Sequence, residues 1–317
     1  AGLNAVLLYG IGMGIAGSGL GTAITQSTMA AVLMTPVVRA ARGAGVGLRP
    51  RCRGLRTSLG AGAPLLVRTL SLRAAILTTV WSATAIGEVA LAAHQVVTSL
   101  WTFAAFALDA LAIAAQALVG NALGRADASR AADDVVGAPD RSDDAAGGAD
   151  SAGGAIIRHQ ADSAGPDGGV GARRDDARPA LNAVLRRCLM WGVAVGAVIG
   201  IVLATASPWL PRMFSSQTDV VATATPALVV AASAMPLAGA VYLFDGVLMG
   251  AGDGRYLAGA GLVTLVPYLP LAVAVAQGWP SEGAEGLVWL WGAFAWVFMG
   301  ARALTTGLRA RGDTWRG

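Results

Sequence analysis

Seven long apolar stretches constrain most strongly what this chain can fold into. A helix needs about 20 mostly apolar residues to cross the hydrocarbon of a bilayer, and seven segments of this sequence meet that requirement. One such segment alone would fit a buried helix of a soluble protein, but seven in one chain predict an all-α membrane protein. Their many small residues suit close helix packing in lipid. The stretches cover residues 15–38, 62–86, 92–122, 186–207, 220–250, 257–277 and 286–307.

The composition excludes several classes of soluble protein. Only 13% of the residues are charged, against about a quarter in a typical soluble domain. The sequence has no Walker loop, nucleophile elbow or HExxH motif, and no basic stripe with interleaved aromatic residues. We therefore predict neither an enzyme nor a nucleic-acid-binding protein. The two cysteines are too few for a disulfide framework or a zinc site.

The arginines orient the predicted spans. All 23 basic residues are Arg, and no acid accompanies those between the first two stretches, which is a strong positive-inside signal. The same rule places residues 123–185 and 250–255 and the C-terminal tail in the cytoplasm. An odd number of spans with an outside N-terminus leads us to expect that a preceding portion is missing. The arginines of the first loop are Arg39, Arg42, Arg49, Arg51, Arg53 and Arg56.

Residues 126–180 differ in composition from the rest of the chain. They hold 11 of the 19 acids, all of them Asp, and only 6 of the 23 arginines. They are rich in Ala, Gly and Ser and contain no aromatic residue. Such a segment cannot bury enough apolar surface to offset the entropy of ordering it. We predict a disordered cytoplasmic linker.

One carboxylate lies in the middle of a predicted span, where an ionisable group is costly unless it faces a cavity or a partner. Asp109 shares a helix face with Gln95, Thr102 and Gln116, because residues seven apart drift by only about 20° around an α-helix. Such a polar stripe is expected to face a water-filled cavity or another helix. A carboxyl group there can take up a proton near neutral pH. The alternative is a structural hydrogen bond to a neighbouring helix end.

Asp245, Arg68 and Arg73 are three further charged residues within the predicted spans that are candidates for a functional role. Asp245 lies about one and a half turns from the predicted cytoplasmic end of its span, where it lines the inner mouth or caps a loop. Arg68 is close enough to the interface to snorkel. Arg73 lies roughly 7 Å deeper, so we expect it to pair with Asp109 or Asp245, or to attract an anionic group of a substrate.

Three further features have mainly structural interpretations. His94, at the predicted outer end of a span, is expected to be a satisfied interface residue rather than a proton relay. Asp253 and Arg255 are expected to form an ion pair within a Gly-rich turn. Prolines are expected to interrupt the spans at 220–250 and 257–277, as is common in transporters. They are Pro226, Pro236, Pro267 and Pro270.

Four runs, in order along the chain, carry a resemblance to a known family. GIAGSGLGTAITQ begins at Gly14, EVALAAHQ at Glu88, LDALAIAAQALVGNALG at Leu108 and FDGVLMGAGDGR at Phe244. They resemble the sixth helix, the seventh-to-eighth helix region, and the tenth helix with its following turn in the MATE (multidrug and toxic compound extrusion) transporters, closest to the DinF-like bacterial branch. The resemblance extends over nearly all of the chain except the linker.

The resemblance implies a fold of twelve helices in two six-helix lobes, of which this chain holds the last helix of the N-terminal lobe and the whole C-terminal lobe. DinF-like relatives carry a proton-coupling aspartate in a first helix that this sequence lacks. In chain order, the segments would be the end of the N-terminal lobe, the Arg-rich cytoplasmic loop between the lobes, the first two helices of the C-terminal lobe, the linker, the last four helices and the cytoplasmic tail, at residues 1–38, 39–61, 62–122, 123–185, 186–308 and 309–317.

The implied activity is secondary active export of amphipathic or cationic organic compounds across the bacterial cytoplasmic membrane, by alternating access. No cofactor is implied beyond a coupling ion, H⁺ or Na⁺. The predicted seventh helix offers no acid before Glu88, which favours protons. Asp109 and Asp245 match positions of the family's eighth and tenth helices, so we expect them to serve cation or proton coupling. The expected cavity-lining residues are Gln95, Thr102, Gln116 and Arg73.

Two alternatives remain open. A flippase for lipid-linked sugars, from the same superfamily, would require a more cationic cavity. Arg73 is therefore the residue that discriminates between a flippase and an exporter of cationic compounds. A non-transporting membrane half-lobe would need a partner chain, such as the missing N-terminal lobe. In each case the surrounding partner is the lipid bilayer.

Overall fold

The structure is a computed structural model that describes residues 6–7, 14–43, 52–136, 169–281 and 283–312. Within these ranges all regular structure is helical. The chain divides into two compact units, Ala1–Gly60 and Ala61–Gly317. The first unit contains α1, Gly14–Gly43, and the beginning of α2. The second unit contains every candidate site residue.

Short connections join most of the helices of the second unit. A single residue, Gly87, separates α2 from α3. A short 3-10 helix, Leu210–Met213, precedes α5, and a π-helical segment, Ala293–Phe298, joins α8 to α9 without a break. The helices are α2 (Cys52–Ile86), α3 (Glu88–Val136), α4 (Gly169–Ala206), α5 (Thr218–Ser233), α6 (Met235–Gly250), α7 (Gly254–Ala276), α8 (Ala284–Gly292) and α9 (Met299–Arg311).

Among the described residues, five helical segments are long and apolar enough to cross a membrane, and the bent pair α5–α6 makes a sixth if it forms one span. The all-α membrane fold is therefore confirmed. The count differs by one from the seven spans predicted, because residues 15–38 lie in α1, which does not reach the same apolar character. The five segments are Gly62–Ile86, Glu88–Arg125, Leu185–Ala206, Gly254–Ala276 and Ala284–Arg311.

The bent span has an identifiable cause. The axes of α5 and α6 differ by 51°, and Pro236 lies in the first turn of α6. Proline lacks the N–H that would continue the hydrogen bonds of α5. Pro236 thus interrupts its span as predicted, whereas Pro226 lies inside α5, and Pro267 and Pro270 lie inside α7.

Glycines let two neighbouring helices approach the buried helix α6 closely. Gly239 meets the main chain of α4 at Gly192, and Gly246 meets the main chain of α3 at Ala112. A side chain at either position would collide with a main-chain carbonyl group. At Gly250 an added Cβ would lie 2.5 Å from the carbonyl oxygen of Gln116. This is the close packing that small residues permit between membrane helices.

An aromatic cluster fills the core where α3, α7 and the α8–α9 span meet. Neighbouring ring centroids are 5.4 to 6.1 Å apart, the range in which aromatic pairs attract. The rings belong to Trp101, Tyr268, Trp291, Phe294 and Phe298.

Hydrogen bonds also join α2 to α7 along their length. The Ser82 hydroxyl donates to the carbonyl oxygen of Ala272 at 2.9 Å. The Tyr268 hydroxyl donates to the carbonyl oxygen of Ala75 at 3.4 Å. The two helices therefore lie side by side in the second unit.

The predicted linker is helical at both ends. α3 continues to Val136 and α4 begins at Gly169, which corrects the disordered segment predicted at 123–185. Alanine, the strongest helix former, recurs in both extensions and lets the helices continue beyond their apolar parts. Residues 137–168 lie outside the described part of the chain.

Candidate functional site

The predicted polar stripe lies on a face of α3 that the other helices of the second unit leave open. Gln95, Thr102 and Asp109 are exposed, and Gln116 is half-buried. Leu108, beside Asp109 in the sequence, is buried in the core. α3 therefore packs its apolar side inward and presents the stripe at the surface of the second unit.

Apolar side chains flank Asp109 on that surface. Phe106 and Ile113, three residues before it and four after it, are 70% and 60% exposed and are its neighbours on the helix surface. The Thr102 hydroxyl donates to the carbonyl oxygen of Thr98 at 2.7 Å. Its oxygen remains an acceptor for a further hydrogen bond. One carboxylate among large apolar groups is a combination that suits an amphipathic cation.

The second predicted carboxylate, Asp245, is buried in an ion cluster between three helices. Nη2 of Arg68, from α2, donates to Oδ2 of Asp245 at 2.7 Å. Nη2 of Arg302, from α9, donates to the same oxygen. Only 4% of Asp245 and 8% of Arg302 are exposed. We call Arg68, Asp245 and Arg302 the Arg–Asp–Arg cluster; two guanidinium groups and one carboxylate give it a net positive charge.

Hydrogen bonding within the Arg–Asp–Arg cluster is incomplete. Oδ1 of Asp245 and Nε of Arg68 are both buried, and neither has a hydrogen-bond partner among the described residues. Buried polar atoms are nearly always paired with protein or water. These two atoms therefore mark a place where a small polar group fits.

The π-helical segment positions Arg302. Hydrogen bonds from residue i to i+5 shift the register of the residues that follow, so Ala293–Phe298 sets which face of α9 carries this arginine. Its guanidinium carbon lies 5.8 Å from the centroid of the Phe298 ring, within cation–π range. The carbonyl oxygen of Arg302 accepts a hydrogen bond from Thr306 at 2.6 Å.

Asp245 pairs with Arg68 and Arg302, whereas we expected it to pair with Arg73. Arg73 is exposed, and the ion pairs of the described residues do not include one from it to Asp109 or Asp245. Arg68, expected to snorkel, makes the pair instead. Arg302 was not predicted, because an arginine near the end of the last stretch resembles an interface charge until its helix face is known.

The two predicted carboxylates lie on helices that are in direct contact. Gly246, next to Asp245 on α6, meets the main chain of Ala112, which is three residues after Asp109 on α3. Asp109 is exposed, whereas Asp245 is buried. The stripe on α3 and the Arg–Asp–Arg cluster are therefore neighbouring features.

The Gly-rich turn after α6 is held by an ion pair with α9. The ion pair that we expected within the turn, between Asp253 and Arg255, does not hold it. Oδ2 of Asp253 accepts from Nε of Arg309 at 2.7 Å, whereas Arg255, its predicted partner, is exposed. The guanidinium carbon of Arg309 lies 4.8 Å from the centroid of the Tyr256 ring. The Tyr256 hydroxyl donates to the carbonyl oxygen of Thr305 at 2.8 Å. The last helix therefore holds the turn in place.

His94 has a structural setting. It is buried, its ring centroid lies 5.6 Å from that of Trp291, and its Nε2 lies 3.3 Å from the Thr98 hydroxyl. Its Nδ1 has no hydrogen-bond partner among the described residues. His94 is part of the aromatic core and has one unpaired ring nitrogen among the described residues, which differs from the satisfied interface residue that we expected.

The fold and its intramembrane charges are those of a multi-pass membrane transporter. The MatE family model matches residues 64–136 and 171–274, more than half of the chain. The chain therefore belongs to the MATE family, whose members are transporters and not enzymes. A comparison with curated proteins finds no significant match.

Two solved structures share the fold. An aspartate-to-asparagine mutant of the Vibrio cholerae MATE transporter VcmN matches with a TM-score of 0.64 and 16% identity, over 99% of this chain and 60% of that one. VcmN in its bent form matches with a TM-score of 0.56 and 17% identity, over 96% of this chain and 60% of that one. The chain thus spans about 60% of the length of these transporters.

Proposed function

We propose that this chain acts as an exporter that exchanges amphipathic, cationic organic compounds for an inward cation flow by alternating access. One observation carries this proposal beyond family membership. Asp109 lies among exposed apolar side chains, on a face of α3 that the other helices of the second unit leave open. A carboxylate there can bind an organic cation or a proton, but not both together. That exclusion is what an antiporter needs, because each ligand lowers the affinity for the other.

The residues of the polar stripe have separate roles in this proposal. Asp109 binds the cationic group of the substrate in one state and the coupling ion in the other. Gln95, Thr102 and Gln116 supply hydrogen-bonding groups along the substrate cavity. Phe106 supplies an apolar surface for the rest of the substrate.

Asp245 has a second, conditional role in coupling. Its Oδ2 already accepts hydrogen bonds from Arg68 and Arg302. A cation or proton therefore competes there with two guanidinium groups. We assign coupling at Asp245 to a state in which at least one of the two arginines has withdrawn.

The setting of the transporter is proposed from the charge pattern. We place the chain in the bacterial cytoplasmic membrane, with the C-terminus and the Asp-rich linker in the cytoplasm. We propose protons as the coupling ion, with Na⁺ as the alternative. The transport assay distinguishes the two ions. Dye transport driven by a pH gradient indicates protons, and dye transport driven by a Na⁺ gradient of the same concentration ratio indicates Na⁺.

Transport of a fluorescent cationic dye tests the proposal. The full chain is reconstituted into proteoliposomes, and dye movement is measured with and without a pH gradient. We expect gradient-driven movement by the unaltered chain and its loss in Asp109→Asn. Asp219→Asn is the matched control, because Asp219 is an exposed acid at the start of α5 outside the stripe. Equal transport by both variants would overturn the role of Asp109.

The same assay separates the alternatives. If the cargo is a lipid-linked sugar, Arg73→Gln lowers movement of a fluorescent phosphate-linked lipid and leaves dye movement unchanged. If the unaltered chain moves no dye, the hypothesis that this chain transports without a partner is excluded. The half-lobe that needs a partner chain then replaces it.

A further inference from the structure

The Arg–Asp–Arg cluster has more hydrogen-bond donors than acceptors. Each guanidinium group carries five N–H donors, whereas a carboxylate only accepts. Arg68 and Arg302 direct their bonds to one oxygen of Asp245, and Nε of Arg68 is buried without a hydrogen-bond partner among the described residues. The net positive charge of the cluster therefore suits an anion that accepts hydrogen bonds from the arginines. Oδ1 of Asp245, which is also buried without a hydrogen-bond partner among the described residues, in turn accepts from a hydroxyl of the same group or from water.

A small cavity adjoins the cluster where α2, α7 and α9 meet. It has room for about one water molecule, 10 Å³, which is also the size of a single phosphate oxygen. Among the described residues, Asp245 is the only acid that lines it, beside Arg68, Arg302, Ser71, Gly261, Thr305 and Thr306.

The hydroxyl groups that line the cavity are not available as hydrogen-bond donors. The N–H groups of the two arginines are the donors that remain. Ser71 donates to the carbonyl oxygen of Arg68 at 2.7 Å, and Thr306 donates to that of Arg302. Thr305, the third lining hydroxyl, donates to the carbonyl oxygen of Ala301 at 3.0 Å. Their protons are thereby engaged by the main chain. An acceptor that enters the cavity is bound by guanidinium N–H groups, and Arg68, with 18% of its side chain exposed, lies at the mouth.

The two helices that border the cavity carry apolar side chains on their outward faces. Leu66 and Leu70 of α2 and Val263 and Val266 of α7 lie on the sides of their helices away from the cavity and are all more than half exposed. These outward faces suit contact with the acyl chains of the bilayer. Basic pockets between membrane helices near the cytoplasmic face bind anionic headgroups, and the arginine distribution predicts that this end of the helices faces the cytoplasm.

We propose that this cleft binds a phosphate group, with one oxygen in the cavity against Nε of Arg68 and the remainder at the mouth. A monoanionic phosphate neutralises the net positive charge of the cluster. The group comes either from an anionic phospholipid or from inorganic phosphate. The phosphate site shares Asp245 and its two arginines with the proposed coupling role, but phosphate binding needs neither a substrate nor a coupling ion.

Lipid retention by the purified full chain tests the proposal. Native mass spectrometry in detergent counts bound phosphatidylglycerol, with phosphatidylcholine as the uncharged comparison. We expect one retained phosphatidylglycerol, bound about tenfold more weakly in Arg68→Gln, as the loss of a charge-assisted bond implies. Arg186→Gln is the matched control: it removes an exposed arginine of α4 at the same predicted face, away from the cleft, and is expected to bind as the unaltered chain does.

Competition with inorganic phosphate identifies the source. Displacement of the lipid by millimolar phosphate shows that the cleft selects the phosphate group alone, and resistance shows that it selects the lipid; both support the site. Equal retention of phosphatidylcholine, or equal weakening in Arg68→Gln and Arg186→Gln, overturns it. Arg68→Lys covers the case in which Arg68→Gln does not fold. It keeps the charge but lacks the Nε donor, and unchanged retention in that variant also overturns the site.

Discussion

At the scale of single residues, Asp245 forms ion pairs with two arginines, Arg68 and Arg302. It is also the carboxylate that compensates the buried charge of both. Removing one partner of a buried ion pair leaves an uncompensated charge in a medium of low dielectric constant. The three side chains come from α2, α6 and α9, so the consequence extends to three helices. The pair of Asp253 and Arg309 is more exposed, at 15% and 27% of the side chains, and water screens it.

We expect Asp245→Asn to lower the free energy of unfolding by about 3–5 kcal/mol. The amide leaves Arg68 and Arg302 without a negative partner. The matched variant Asp253→Asn should cost about 1 kcal/mol or less. Thermal unfolding of the two variants in detergent measures both. Equal melting temperatures would show that the Arg–Asp–Arg cluster does not stabilise the fold.

Gly246 gives a second residue-scale prediction. An added Cβ there meets the main chain of Ala112, and neither helix can withdraw without disturbing the core. Gly246→Ala should therefore destabilise the protein by about 1–3 kcal/mol. Gly259→Ala is the control, because nothing lies within 4 Å of its added Cβ, and alanine favours the helix. A loss of stability in Gly259→Ala as large as in Gly246→Ala would contradict the close contact of α3 and α6.

The residues of the site were only partly predictable from the sequence. Asp109 and Asp245 stand out because ionisable groups in apolar stretches are rare. The partners of Asp245 do not, because pairing depends on which helix faces meet, and a single sequence contains no such information. Arg302 is the clearest case: a π-helical segment before it changes its register, and no local residue pattern predicts that segment.

At the scale of helices, the apolar stretches predicted the elements well and their ends less well. Six candidate spans match predicted stretches, because the bilayer sets one length for all of them. The ends of α3 and α4 extend beyond those stretches, since alanine-rich polar sequence also forms helix. The break at Pro236 follows from its missing N–H, whereas the prolines within α7 are accommodated without a break in the helix.

The connection between α2 and α3 gives an element-scale prediction. Gly87, the single residue between them, has φ of 140°, a region that only glycine adopts readily. Gly87→Ala should therefore lower the free energy of unfolding by about 1–3 kcal/mol, although nothing lies within 4 Å of the added Cβ. The measurement is thermal unfolding in detergent.

Gly292→Ala is the control for the strained connection. Nothing lies within 4 Å of its added Cβ either, and Gly292 has helical backbone angles, with φ of −59°. Its replacement should leave the melting temperature unchanged or raise it. If Gly87→Ala were equally harmless, the left-handed conformation at Gly87 would not exist in solution.

At the scale of the whole molecule, charge at the two ends of the helices predicts the orientation in the membrane. Arg311, near the end of α9, is exposed, and so is Asp219, at the start of α5. The positive-inside rule assigns the arginine-rich end to the cytoplasm. By that rule Arg311 lies inside, and Asp219 lies outside.

Cysteine labelling tests this orientation. Cys52 and Cys188 are first replaced by Ser, and Arg311→Cys or Asp219→Cys is then introduced. A membrane-impermeant maleimide should label the variant at Asp219 in intact cells and the variant at Arg311 only in inverted vesicles. Labelling after detergent lysis is the control for reactivity, since both sites should then react. The reverse pattern would place the phosphate-binding cleft at the outer face, where the anionic lipids of the cytoplasmic leaflet cannot reach it.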